Sequence, residues 1–413
     1  MSNLAPSSWR EIKLSEILTE SRIPIEDDKP SRRISVKLHL QGVHKRDERA
    51  TDTIGSTTHF KRLKGQFIYG KQNFHNGAFG IIPNHLNGYG SSQDIPAFDV
   101  AAGYSINWLF QYFSRYEYYK SLERIASGTG SKRIQPKALF EESVLVPPLS
   151  EQQKIATILS AVDDVIEKTR AQIDKLKDLK TGMMQELLTK GIGHTEFKDS
   201  PVGRIPMGWS VVSLGQVTDS SAFGPRFSSD YYSESGNIGC IRTTDMDADW
   251  CIDYQTVPLA NLSIDEFESH FLFDGDLLIT RSGTCGVVDI FQAQSVPMVA
   301  AAFLIRFRLL DSVNPWFAKY VMMSSEVQSR IQLLASGGVQ KNLSGTSLKT
   351  LQFAMPLRPE QDEIVKVINS INEKYTGVRK KLASYETVKK ALMQDLLTGK
   401  VRVKLTDKES AVV

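Results

Sequence analysis

The chain has 413 residues, 41% of them apolar and 23% charged, with a formal net charge of +3. That length exceeds one ordinary core and suits two domains with connectors. No run approaches the roughly 20 apolar residues of a membrane span, which excludes a helical membrane protein.

Three cysteines, Cys240, Cys251 and Cys285, show no CxxC spacing. That excludes a disulfide framework and fits reduced thiols in a cytoplasm. The N-terminus, Met1-Ser2-Asn3-Leu4-Ala5-Pro6, lacks the basic-then-apolar layout of a signal peptide, so a cytoplasmic location is expected. Charge is unevenly spread. Residues 1–149 carry 20 Lys/Arg against 15 Asp/Glu, a net +5, whereas residues 191–358 carry 12 against 17, a net −5. The first region would attract a polyanion; the second offers no bulk-charge argument for one.

In chain order, Trp9, Leu14 and Ile17 open a first globular region. Within it Phe67–Tyr69 reads as a short strand among turn residues, and the aromatic stretch 108–119 as an amphipathic helix. Pro147-Pro148 ends the region. Ser150 then starts a long helix, with Glu151 in the first turn where the helix dipole favours an acid. Gly191-Ile192-Gly193 stops that helix and opens a connector to Pro206-Met207-Gly208-Trp209. A second globular region follows, with strands at Leu277–Thr280 and 303–307 and a helix at 316–323. Pro356 ends it, and Pro359-Glu360 starts a second long helix.

The two halves repeat. Pro147, Glu151, Gln152 and Ile155 recur 209 residues on as Pro356, Glu360, Gln361 and Ile364. Met184-Gln185-Glu186-Leu187-Leu188-Thr189 recurs at the same offset as Met393-Gln394-Asp395-Leu396-Leu397-Thr398. Between them Ile155, Leu159, Val162, Ile166, Ile173, Leu176, Met183 and Leu187 map onto Ile364, Ile368, Ile371, Tyr375, Leu382, Tyr385, Leu392 and Leu396. Steps alternating between four and three residues mark a coiled-coil seam, and a gap-free offset means that both helices keep one length. In the globular regions the shift varies. Trp9, Leu14 and Ile17 match Trp209, Leu214 and Val217 at an offset of 200, while Ser127-Gly128 and Lys132 match Ser336-Gly337 and Lys341 at 209. The run from Lys64 to Tyr69 resembles that from Asp274 to Ile279.

The expected fold is therefore α+β, with two mixed α/β domains alternating with two long helices in an antiparallel coiled coil, related by a pseudo-two-fold internal repeat. The expected divisions are domain 1 at 1–148, helix 149–190, connector 191–205, domain 2 at 206–357, helix 358–398 and tail 399–413. About 40 helical residues at 1.5 Å each give roughly 60 Å. A lone helix of that length would expose its apolar stripe; the other copy is the simplest partner, which places a globular head at each end.

Catalytic motifs are missing from the sequence. It has no HExxH, GxSxG or GxxxxGK[ST]. Leu145-Val146-Pro147-Pro148-Leu149 reads as a helix-entry breaker, with Val146 where an amino-methyltransferase site needs a polar residue. The seven histidines, among them His39 and His44, lie in turns and not at metal-pair spacing. The acidic stretch 245–249 lacks an EF-hand's glycine and terminal glutamate.

What remains is recognition surface. The segments 127–133 and 336–342 are small, polar and basic, and occupy equivalent places. Lys132, Arg133, Gln340, Lys341 and Asn342 can pair with phosphates or base edges. Lys71, Gln72 and Asn73, and Arg281 in the second region, follow equivalent strands and offer the same donors. Arg226 and Arg242 are further candidates for a local positive side on the acidic second region.

Pro-Pro-Leu-Ser-Glu-Gln-Gln-Lys-Ile-Ala at 147–156, Gln-Glu-Leu-Leu-Thr at 185–189, Gln-Asp-Leu-Leu-Thr-Gly at 394–399 and Pro-x-Gly-Trp at 206–209 stand in this order over nearly the whole chain. In them the chain resembles the specificity subunit of type I restriction–modification systems. The resemblance implies two target recognition domains on conserved spacer helices that dock modification subunits, and no catalysis on this chain. It implies no cofactor here. S-adenosylmethionine for adenine methylation is expected on two modification subunits, and ATP and Mg on restriction subunits. Diverged heads imply a split, asymmetric duplex DNA target, with the helices fixing the unread spacer. The alternative reading is a non-catalytic adaptor whose coiled coil joins two protein-binding heads, which the acidic second region favours. Heparin retention and steep salt sensitivity distinguish the two.

Overall fold

The computed structural model describes residues 6–26, 29–50, 52, 57–128, 131–247, 249–335 and 342–405. The chain separates into two compact units, Met1–Ala171 with Lys380–Val413, and Gln172–Arg379. Each unit contains one globular head and parts of both long helices.

In the first head the central sheet comprises β1 (Leu18–Ser21), β2 (Phe67–Tyr69), β3 (Phe79–Ile81) and β4 (Ala97–Val100), in spatial order β1-β4-β2-β3 with every neighbour antiparallel. Phe67, Ile68 and Tyr69 are all buried, so both faces of β2 are covered and the strand reads as a continuous apolar run rather than an alternation. Aromatic rings fill the core. Tyr69 stacks on Phe98 at 5.5 Å, and Phe67 lies 5.1 Å from Phe113 on α1 (Ile106–Phe113).

The helix expected over 108–119 is two helices. α1 stops at Phe113: Ser114 caps it, its hydroxyl on the Phe110 carbonyl at 2.7 Å, and the backbone leaves helical geometry at Arg115. Arg115 is extended and lays its guanidinium on the Tyr112 ring at 3.9 Å, and a second turn of helix restarts over Tyr116–Ser121. A strand pair closes the head, Arg10–Lys13 against Ser143–Val146, just before the first long helix, α2 (Leu149–Lys190).

The central sheet of the second head has the same strand order, although that head adds a three-stranded sheet in which Ile238–Ile241 pairs in parallel with Met298–Ala300. β5 (Thr218–Phe223), β6 (Leu277–Thr280), β7 (Val288–Ile290) and β8 (Leu304–Leu309) take the order β5-β8-β6-β7, again antiparallel throughout. Its core is aliphatic where the first is aromatic, with Leu277, Ile279, Val288 and Ile305 packed on Phe317 of α3 (Pro315–Met323). Ser210–Ser213 and Gln352–Met355 form the closing strand pair before α4 (Arg358–Leu396). One strand order therefore holds two unlike cores.

The sixteen seam positions named above on α2 and α4 are all buried or half-buried. The helices run antiparallel. In the first unit Asp163 meets Lys389 at 2.5 Å and Arg170 meets Glu386 at 2.6 Å, so one number rises as the other falls. In the second, Leu187 and Leu188 share a core with Ile364, Val365 and Ile368.

The recurring Glu-Gln pair ties each head to its helices. Trp9 donates its indole N–H to Glu151 at 3.3 Å, and Trp209 does the same to Glu360 at 3.0 Å. Gln152 accepts from the backbone N–H of Ser105, the N-cap of α1, at 2.7 Å and donates to the Pro147 carbonyl at 2.9 Å. Gln361 repeats both bonds, to Asn314, the N-cap of α3, at 2.7 Å and to Pro356 at 2.9 Å. Each glutamate also takes a partner from beyond the other helix's end: the Arg402 guanidinium on Glu151, and the Ile192 N–H and His194 on Glu360. The chain makes that turn at Gly399 and Gly191, both left-handed, where a Cβ would run into Pro6 and Trp209 respectively. The residues that recur most strictly in sequence thus join head to helix.

Candidate nucleic-acid interface

In the first head the segments singled out in sequence come together, and in the second Arg281 meets Asn342. In the first, Lys71 follows β2, and its backbone N–H bonds the Asp94 carbonyl at 3.0 Å, while its own carbonyl accepts from Ile134 at 2.8 Å. In the second, Arg281 follows β6. Its N–H bonds the Phe303 carbonyl at 2.9 Å, and its carbonyl accepts from Leu343 at 2.8 Å. The same two backbone bonds thus bring a post-strand cation beside the end of the Gly-rich loop in both heads.

Around the first node Gln72 bonds the Ser131 hydroxyl, Arg133 approaches Asp94 at 3.9 Å, and Lys132 pairs with Glu123 at 3.1 Å. The Lys132 ammonium holds the Glu123 carboxyl below its ordinary value. Asn73 spends its side-chain oxygen on Asn76 within the turn at 3.2 Å. Beneath lies Arg62, 1% exposed, which donates to Ser91 Oγ, the Ser21 carbonyl and the Ile95 carbonyl at 2.7, 2.7 and 3.1 Å. Burial pushes its pKa down to about 10. It pins the ends of β1 and β4 at this edge of the sheet. Its role was not legible in sequence, because nothing in its neighbourhood marks an arginine as buried.

Around the second node Arg281 lies over the Phe223 ring at 4.4 Å and donates to the Asn342 side chain at 3.2 Å. Arg226 is exposed on the segment that leaves β5. Arg242 is already engaged, with Nε and Nη2 on the buried Asp245 carboxylate at 3.1 and 2.6 Å, so its charge is neutralised locally. Gln340 and Lys341 lie outside the described residues.

Asp219, Asp274, Asp276 and Asp311, with Arg308 and Arg358, line a cavity of about 630 Å³ at the end of the sheet from which α4 departs. Phe223, Arg281 and Asn342 sit at the other end, so these four carboxylates lie away from the Arg281 node.

Two stretches of the chain, 6–178 and 206–383, match the family model described as the type I restriction modification DNA specificity domain. The chain is 29% identical over 290 residues to the MjaVIII specificity subunit of Methanocaldococcus jannaschii, a match covering 68% of each protein. It is 22% identical over 312 residues to the EcoKI specificity subunit of Escherichia coli K12, covering 70% of this chain and 63% of that one. The S subunit of a type I restriction–modification system from M. genitalium superimposes with a TM-score of 0.59 at 13% identity, covering 98% of both chains. A chain solved for complex assembly and conformational transition of a type I system superimposes with a TM-score of 0.56 at 17% identity, covering 96% of this chain and 100% of that one. At such identities the superpositions speak for the fold alone.

Proposed function

The chain belongs to the type I restriction–modification DNA specificity family, and on that footing we propose that its two heads read the halves of a split, asymmetric duplex target. The observation that carries this is the contrast within the repeat. One strand order and one set of backbone bonds recur in both heads, while the side chains at the exposed nodes differ: Lys71 and Arg133 in one, Arg281 and Asn342 in the other. A shared frame presenting different donors suits two different half-sites.

In this reading the paired helices set the unread spacer and dock modification subunits. S-adenosylmethionine belongs to those subunits, and ATP and Mg to restriction subunits; this chain supplies sequence choice and no bond-breaking step. The alternative is an adaptor whose acidic second head binds protein; the match of both halves to the DNA specificity domain favours DNA.

The test is co-expression with the neighbouring modification subunit, followed by genome-wide mapping of N6-methyladenine. A two-part motif that depends on this chain is expected. A stable complex that methylates no defined motif, or a chain that forms no complex, contradicts the reading.

A further inference from the structure

Exposed aromatic side chains are unevenly distributed between the heads. Among the described residues the first head exposes one large aromatic, Tyr116, whereas the second exposes Phe223 and Phe303 at the node, Tyr231 and Tyr232 beside Phe227, and Phe273 at the acidic end. Phe223 is 45% and Phe303 54% exposed. Phe223 and Arg281 are in contact at 4.4 Å, and Phe303 is the cross-strand neighbour whose carbonyl holds the Arg281 N–H. The same backbone bond in the first head is made by Asp94 to Lys71. Position 303 is thus the structural counterpart of position 94, a phenylalanine ring replacing a carboxylate.

Neighbouring exposed rings on a surface offer an apolar patch that a binding partner can cover. A guanidinium and an amide at its side provide donors for base edges, and none of the ion pairs among the described residues neutralises Arg281. Aromatic and other apolar side chains at DNA frequently stack on bases or wedge between base steps.

We propose that Phe303 and Phe223 form a base-stacking patch that works with Arg281 on the half-site of the second head, and that Asp94 leaves the first head without one. The proposal rests on the DNA-reading function above. It makes position 303 specificity-determining for one half-site only, through local distortion of the steps it touches as well as through the Arg281 contact. Flexible pyrimidine–purine steps would be favoured at the touched position.

The test uses the full chain in complex with its modification subunits, selecting from a duplex library with randomised positions on both sides of the spacer. The wild-type complex enriches two half-sites. For Phe303→Ala the expected result is at least a tenfold loss of discrimination at the positions of one half-site, the other unchanged, with Phe303→Tyr restoring it because the ring returns. Preferences within twofold of wild type in Phe303→Ala, or equal loss at both half-sites, would overturn the stacking patch while leaving the DNA-reading function standing. A wild-type complex that enriches nothing overturns both.

Discussion

Single residues at the head–helix junction bear more of the fold than their number suggests. Glu360 accepts from Trp209, Ile192 and His194, and Glu151 from Trp9 and Arg402. Gly191 lets the chain pass beneath Trp209 with φ +67°. Gly191→Ala is expected to lower unfolding free energy by about 1–3 kcal/mol, from left-handed backbone cost and crowding of the indole. Chemical denaturation measures it, and an unchanged midpoint would show that the turn relaxes freely. A second site is the buried pair of Lys319 with Asp289 at 2.7 Å, where Asp289 also accepts from the Ile252 N–H. Lys319→Met leaves that carboxylate buried without its cation, an expected loss of roughly 3–5 kcal/mol. Recurrence made Glu151, Gln152, Glu360 and Gln361 visible in the sequence, where the glutamates read as first-turn acids. Their partners were hidden, because Arg402 and His194 are not equivalent positions in the repeat, and Ser105 and Asn314, though of N-cap type, carry no mark of which glutamine their backbone N–H groups meet.

At the scale of elements, the strands Phe67–Tyr69 and Leu277–Thr280 were legible as short apolar runs between turns. The shared strand order was not, because sequential spacing says nothing of which strands pair. Nor was the break after Ser114: the aromatic pattern of 108–119 continues straight through it, while the backbone turns extended at Arg115. The basic loops were found by composition. Positions 94 and 303 were missed, because their equivalence runs through a cross-strand bond and their side chains are unrelated. Lys132 is exposed, and its one ion pair among the described residues is with the partly exposed Glu123 at 3.1 Å. Lys132→Ala is expected to weaken binding to all duplexes alike and to reduce the salt slope by about one. Binding isotherms across a salt series check it. A changed sequence preference at near-constant affinity would mean that Lys132 reads bases instead.

For the whole molecule, the helices are the invariant part. α2 and α4 span 42 and 39 residues, and their seam residues correspond without a gap, whereas the heads have diverged by insertion, deletion and a change from aromatic to aliphatic core. A gap-free seam joining diverged heads is what a spacer ruler requires. The most direct test is to insert one heptad near the midpoint of each long helix and determine the methylation motif of the resulting complex. Seven residues add about 10 Å of helix, or roughly three base pairs. The account expects both half-sites unchanged and the spacer between them longer by about that amount. An altered half-site with the original spacer length would contradict it.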